Sequence, residues 1–579
     1  MASTDAFVLQ QEILEKFGTV LDEKLAPECV RLCQMFNLSA EDLLYKWEVL
    51  VLGAARVFPP DMIPALKAKC QSDIAKANTA RQKLKSGFNG SFGRTRGAFG
   101  RLNTRLNGQT VQGTPTKPNV QRQDGLGVAL GEDMKVPVAG PSKVKFIGPT
   151  IDEDLRKRRA YRYMYEKVYE RSTALDRRID EFGELVMEHY HIEELGDPTA
   201  ATEEEVTIVG RITLDSETSA GPVKLNEAAL TLESSRMMGS GARVPLRFDP
   251  NVKVRQGKQG VGGIGLFPGA IVALRGKNGG GGWFSVTEIL ALPPLKACRD
   301  AAAPPHPGSS FSMVVACGPF TPDTDFQYKN WHRLLAKIKA EKPNVMLLLG
   351  PFIDAAHPFI KEGEIDVSPY DIFREIVVAN LMDFLASSPG SLILIVSSVR
   401  DIISDHAVFP QCEMDAEFSS DPRIRFLPNP CRFSLNNVTF GVSSVDVLFH
   451  LRKEEFFKRA EEIESVIPEA GDVQPNDAMS NACRHLLQQR SFYPLFPVPL
   501  ELAHEVNLDV THLKGLDLCA GEGVEKDKAP EVLITPSRLK HFSKHVDSTV
   551  VVNPSFLTKG TFAKLTCDGT VVTEILRLE

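Results

Sequence analysis

The sequence predicts a multidomain α+β protein: a small N-terminal helical module, a barrel of short antiparallel strands, and a C-terminal α/β domain. Three observations carry this. Apolar residues recur at helical spacing up to about residue 75, short β-rich runs separated by turn residues fill 206–290, and apolar runs alternate with helical stretches from about 299 onward. A chain of 579 residues has room for about three to four domains. The boundaries that follow are 1–78 for a helical protein-docking module, 79–144 for a basic disordered linker, 145–298 for a helical lead-in and barrel, and 299–579 for the α/β domain.

Composition narrows the class. With 43% hydrophobic and 24% charged residues the chain reads as ordinary globular protein, and a net charge of -7 excludes polyanion binding driven by bulk charge. MASTDAFVLQQEIL lacks a basic segment followed by an apolar core, so no secretory signal is expected. Apolar runs are about strand length, so no membrane span is expected either. The ten cysteines include no C-x-x-C pair. Cys29 and Cys33 share one face of an expected helix with no Cys or His partner nearby, and read as core thiols. The expectation is a soluble, reduced, intracellular protein.

In the first module, Phe7-Val8-Leu9, Ile13-Leu14 and Phe17 repeat at helical spacing, as do Val30, Leu32-Cys33 and Phe36. Ser39 and Asp42 fit a capping box ahead of Leu43, Leu44, Trp47 and Leu50. Pro59-Pro60-Asp61 breaks the pattern before a last short helix near 62–75. From 79 to 145 periodicity vanishes, and no acidic residue occurs between Asp73 and Asp124. Ten basic residues from Lys76 to Arg122 mark a cationic tether, with Phe88, Phe92 and Phe99 among them. Stacking plus charge is how such segments touch single-stranded nucleic acid, so 81–122 is a candidate for weak DNA contact. Thr114-Pro115-Thr116-Lys117 fits a proline-directed kinase site, making Thr114 the candidate for modification.

Residues 150–192 read as helix, densely charged, with Tyr161, Tyr165, Val168, Leu175, Ile179 and Phe182 on the apolar spacing. The Arg156–Arg159 cluster reads as a solvated face. Strands are expected at Val206–Ile212, Val244–Phe248, Gly269–Leu274 and Trp283–Leu290, together a barrel of the OB type. Pro245 cannot donate to a ladder, which marks the second as an edge strand. Gly260, Gly262 and Gly265 satisfy G-x-G-x-x-G, but a β-type run follows where a phosphate-binding helix is needed, so the segment reads as a loop.

In the last domain, strands are expected at 312–316, 344–349, 391–396, 438–442, 532–535 and 549–552. Helices are expected near 326–341, 370–387, 453–464 and 477–490. Ligands and catalytic groups of open α/β sheets sit past the carboxyl ends of strands. A binuclear metallophosphoesterase carries D-x-H, G-D-x-x-D and G-N-H-D there, because two ions about 3.5–4 Å apart need converging carboxylate, Asn and His ligands. Here Ala316-Cys317-Gly318-Pro319 offers no Asp and no His. Pro351 stands where a bridging carboxylate belongs, Val399 where an Asn belongs, and Arg400 where the acid His belongs. Thr535-Pro536-Ser537-Arg538 replaces the His-x-His loop, and His541 and His545 lie further on, expected on a displaced helix.

GPFTPDT, KPNVMLLLGPFID, SSVRDI, NPCRF, HLLQQRSFYPLFP and LITPSRLKHF, in that order, resemble the B-subunit family of DNA polymerase alpha, within the polymerase–primase complex. The resemblance runs from about 145 to the end. It implies an OB domain joined to a calcineurin-like phosphoesterase domain that has lost its metal ligands, and a non-catalytic accessory role. Such a protein binds the C-terminal region of the polymerase alpha catalytic subunit, joins the primase subunits in one complex, recruits replication factors through 1–78, and works in the nucleus. It implies no catalytic, cofactor-binding or metal residue, and no cofactor. Two other readings compete. One is a divergent phosphodiesterase or nuclease using Asp354, Asp401, His406 and His485, against which stands the joint loss of bridging carboxylate, Asn and acid. The other is a nucleic-acid-binding module acting through the tether.

Overall fold

The computed structural model describes residues 2–17, 21, 24–36, parts of 39–47 and 63–67, 144–149, 152–214, 224–298, 310–468, 477–519 and 527–578. Two compact units, Met1–Ala129 and Leu130–Glu579, are taken separately.

In the first unit, α1 (Ala2–Phe17) and α2 (Ala26–Phe36) bury Ile13, Phe17, Cys29, Leu32 and Cys33 with Leu43 and Trp47. The Phe17 and Trp47 rings lie 5.8 Å apart. Pro27 sits in the first turn of α2, where its missing N–H costs no hydrogen bond. Cys29 and Cys33 are buried in the core as their spacing predicts, and burial pushes the Cys29 thiol up to about 11. The Leu43 N–H donates to the Ser39 carbonyl at the expected helix start. Asp42, the tether from 79 to 143 and Thr114 within it lie outside the described residues.

The second unit begins with β1 (Phe146–Ile147), α3 (Glu153–Arg159) and α4 (Val168–Tyr190). The continuous helix expected over 150–192 is therefore interrupted at 160–167. Tertiary contacts outcompete helix propensity there. The Tyr161 ring stacks on His512 at 3.4 Å, Arg159 pairs with Glu413, and Met164 sits at φ 58, outside the helical region.

Strands β2 (Val206–Leu214), β3 (Leu230–Glu233), β4 (Arg243–Arg255), β6 (Ile271–Lys277) and β7 (Phe284–Leu290) close a barrel in the order β2–β3–β4–β7–β6. β4 is not an edge. It pairs with β3 and, from Leu246 onward, with β7, and Pro245 lies just before that second ladder starts. The G-x-G-x-x-G segment is not all loop either. β5 (Gly263–Leu266) pairs antiparallel with β14 (Phe456–Arg459), and β15 (Glu461–Ile463) adds to β4. The helix expected at 453–464 thus ends early, as α7 (Val447–Glu454), and its remainder is two short strands. Open strand edges on the barrel offered pairing that local helix propensity could not match.

The α/β part holds two sheets. Sheet one runs β11 (Ile424–Leu427), β10 (Leu392–Val396), β9 (Val345–Leu349), β8 (Phe311–Cys317), β19 (Thr561–Asp568), β20 (Thr570–Arg577). Sheet two runs β1, β12 (Cys431–Leu435), β13 (Val438–Val442), β16 (Val532–Ile534), β18 (Thr549–Asn553), β17 (Phe542–Val546). Alternation along each strand explains the layering. Met313, Val315 and Leu347 face the second sheet, where they meet Phe433, Phe440 and Ile534. Val314, Met346, Ile393 and Ile395 face the opposite way, under α5 (Lys329–Glu341) and α6 (Ala379–Ser387). Strands buried on both faces need unbroken apolar runs, which is what VMLLL and LILIV supply. His545 lies in β17 and His541 just before it, so neither is on the helix expected for them.

Candidate functional site

β8, β9 and β10 are parallel neighbours, so their carboxyl ends open on one edge of the molecule. The turns after β8 and β9 run through cis Gly318–Pro319 and Gly350–Pro351 bonds. Phe320 and Phe352 then stack face to face at 5.0 Å, both fully buried, and the Tyr328 hydroxyl donates to the Phe352 carbonyl at 3.0 Å. Aromatic packing therefore fills the turns that follow β8 and β9. Gly350 is needed for closeness: a Cβ there would run into the Asp401 carboxylate and the Ser398 amide.

The two carboxylates of the phosphodiesterase reading do meet, but as structural groups. Asp354 takes a fork from Arg400, Nε to Oδ1 at 3.1 Å and a second bond from Nη2, and its Oδ1 also accepts the Ala356 N–H at 2.9 Å. Asp401 is buried and accepts three backbone N–H groups, from Ile353 at 3.1 Å, Ser398 at 2.8 Å and Phe352. Burial pushes the Asp401 carboxyl up to about 7, aided by Asp354, although those three N–H groups pull the other way.

His406 and His485 do not join them. His406 is half-buried, held below its usual value first by burial, and its charged neighbours are Asp405, Arg156, Glu413 and Asp415. His485 lies on α8 (Ala478–Gln488) against the barrel, its Nε2 2.9 Å from Glu455 Oε1 and its ring edge-on to Phe267.

A second cluster continues the same edge from the other sheet. The Ser444 hydroxyl donates to the Ser397 carbonyl at 2.9 Å and ties the two strand ends together. Asp446 caps α7 through the Phe449 N–H and accepts the Arg538 amide at 2.8 Å and Nε at 3.0 Å. Arg538 also pairs with Glu505, whose Oε2 lies 3.5 Å from His450 Nε2. Burial opposes ionisation of Glu505, yet the nearby His450 and the charges of Arg538 and Arg400 draw it down to about 2. Arg400 and Arg538 thus supply the positive charge at this edge, and each carboxylate is engaged by a guanidinium or by backbone N–H groups. Among the described residues no three His, Cys, Asp or Glu side chains converge on a metal position. Such an arrangement ties the two strand ends together and engages each of these carboxylates.

Sequence reasoning missed Asp446, His450 and Glu505. One signal was present: Arg400 and Arg538 each stand four residues beyond the last residue of an apolar strand.

Residues 313–544 match a family described as the DNA polymerase alpha/epsilon B subunit, and residues 172–292 match one described as the OB domain of the DNA polymerase alpha B subunit. A relative from Schizosaccharomyces pombe, named as the B subunit of DNA polymerase alpha, is 31% identical over 94% of this chain and 94% of its own. The chain belongs to the B-subunit family of DNA polymerase alpha.

The DNA polymerase alpha B subunits from Saccharomyces cerevisiae and Mus musculus are 29% and 30% identical, over 71% and 70% of this chain and 61% and 62% of theirs. Among solved structures, TT1561 of Thermus thermophilus overlaps 47% of this chain and 100% of its own at 9% identity and a TM-score of 0.21, too low to carry any argument about fold. The matched OB segment corresponds to α4 through β7, the closed barrel with its lead-in helix. The larger matched segment spans β8 to β17 and includes the arginine–carboxylate edge.

Proposed function

We propose that this chain is a non-catalytic scaffold of the primer-synthesising DNA polymerase. It binds the C-terminal region of the polymerase alpha catalytic subunit, assembles with the primase subunits, and supports initiation of DNA replication in the nucleus. Its working parts are the helical docking module 1–78, the tether 79–144, the lead-in and barrel 145–298, and a phosphoesterase-like domain 299–579 that has lost its ligands. The observation that carries the reading is the Arg400–Asp354 fork beside stacked Phe320 and Phe352, where a metallophosphoesterase needs an empty polar pocket. The tether's weak DNA contact through 81–122 and modification at Thr114 belong to the same reading. No described helix is long and apolar enough to cross a membrane.

Co-expression of the full chain with the C-terminal region of a polymerase alpha catalytic subunit, followed by size-exclusion chromatography, tests it. A stoichiometric, salt-resistant complex is expected, and separate elution of two folded components sinks the reading. Phosphodiesterase turnover with Mn²⁺ is expected to equal the buffer blank. Turnover abolished by Asp354→Asn would restore the enzyme reading.

A further inference from the structure

Alternation along β2 turns Ile208 and Ile212 into the barrel and Val209 and Arg211 outward. An outward arginine ordinarily keeps its head in water. Arg211 does not: it is 4% exposed, because α4 and the chain leaving α8 cover that face. Its Nη2 pairs with Glu233 Oε1 at 2.9 Å, a carboxylate already shared with Arg243, and its guanidinium lies 5.1 Å from the Phe496 ring centroid. Nε and Nη1 are buried with no hydrogen-bond partner. The ring supplies a favourable field for the charge but no lone pair for those donors, and buried charged donors left unpaired are costly.

Arg211 lines a cavity of about 40 Å³ set between β2, α4 and residues 489–513. One water takes about 10–15 Å³ of such space, so the cavity admits a few atoms and excludes a nucleotide. Among the described residues, the charged side chains lining it are Arg178 and Arg211, both cations. Arg178 keeps Asp517 at 3.2 Å and the Gln489 carbonyl, so it adds field rather than free donors. Burial holds the Arg178 guanidinium below its usual value in spite of Asp517 and Glu181. Water alone answers this geometry poorly. A water that accepts an Arg211 N–H must place two protons of its own, and the polar side chains of the lining are engaged elsewhere. The Gln489 amide closes both its bonds on the Ile271 backbone, at 2.9 and 2.8 Å, and the Tyr493 hydroxyl meets His450 Nδ1 at 2.9 Å. An anion brings lone pairs and no protons. We infer that this cavity binds a small monovalent anion of halide size, held by Arg211 in the field of Arg178. Nε and Nη1 lie on different edges of the guanidinium, so the anion meets one and a companion water the other. The ion would join the barrel to the chain leaving α8, and it stands apart from the reading of the protein as a scaffold.

The probe is chloride. The full chain is melted calorimetrically in sodium chloride, with sodium gluconate, whose anion is too large for the cavity, holding ionic strength constant. The transition of the 130–579 unit should rise with the logarithm of chloride concentration, by about 2 °C or more over a roughly hundredfold range. Arg211→Met should abolish that slope, and Arg275→Met, at an exposed pair with Glu205 outside the cavity, should keep it. If Arg211→Met does not fold, wild-type crystals soaked in sodium bromide decide, with an anomalous peak expected in the cavity within hydrogen-bonding reach of Arg211 Nε or Nη1. A wild-type transition indifferent to chloride means that water fills the cavity and overturns the inference. A slope that survives Arg211→Met places the ion elsewhere and overturns it as well. A bromide peak without a chloride slope is an adventitious ion only. A response to sodium formate with none to chloride assigns the cavity to a carboxylate, and the halide site falls.

Discussion

Asp354 and Arg400 matter less for what their pairing contributes than for what breaking it leaves behind. Asp354 is 7% exposed, so Arg400→Ala strands a buried carboxylate. A loss of roughly 2–4 kcal/mol is expected, moderated because Arg400 keeps some solvent, and urea unfolding of the variant measures it. The two perturbed acids at this edge give opposite pH signatures. Asp401, raised to about 7, binds its proton more tightly folded than unfolded. Its contribution is full below the unfolded value near 4 and is lost as pH rises through about 7. Glu505, drawn down to about 2, contributes fully above its unfolded value near 4.5 and loses that contribution as pH falls towards 2. Comparing wild type with Glu505→Gln across pH 2–8 should therefore show a stability difference that is constant above about 5 and shrinks in acid. A difference that grows on acidification would contradict the assigned network. None of this was legible in the sequence: of the three amides on Asp401 only that of Ser398 is local, and those of Phe352 and Ile353 come from the neighbouring strand's turn. Asp446 and Glu505 are distant in sequence from Arg538, and only folding brings them to it.

At the level of elements, the departures from expectation share one cause. Residues 456–463 carry helix-favouring Glu, Lys and Ala, yet they are strands because β5 and β4 present unpaired edges. Gly263 makes that approach feasible, since a Cβ there would collide with the Lys458 carbonyl. Gly263→Ala is expected to cost at least about 2 kcal/mol and to lower the melting temperature, whereas Gly262→Ala meets no neighbour within 4 Å and pays only for its positive φ. Calorimetric melts of both decide it. The strands of the two central sheets were legible because five-residue apolar runs buried on both faces have few other uses. Their division into two sheets was not, because periodicity reports burial and says nothing of which partner covers a face.

For the molecule as a whole, the barrel and the α/β part share one hydrophobic cluster. Leu232, Leu266, Phe267 and Val286 of the barrel pack in it with Leu448, Leu486, Phe492 and Leu533. Each fully buried side chain of this kind contributes about 1.5–3 kcal/mol, so neither part keeps its core when alone. The 130–579 unit is expected to unfold in one calorimetric transition, and an isolated 144–298 fragment to lack a cooperative melt. Two resolved transitions within that unit would show the shared cluster to be a contact rather than a core.

Local chemistry settled the first half of this description. Helical spacing around Cys29 and Cys33, the short strands of a barrel and doubly buried apolar strands are all readable within a few residues of one another. The family resemblance was readable for the same reason, because its motifs are contiguous. Long-range closure settled the rest. Which edge captures 456–463, which carboxylates Arg400 and Arg538 neutralise, and where Tyr163 to Tyr169 are left uncovered depend on pairings across tens to hundreds of residues. Those pairings are chosen by the summed burial and hydrogen bonding of the whole unit, which no window of sequence contains.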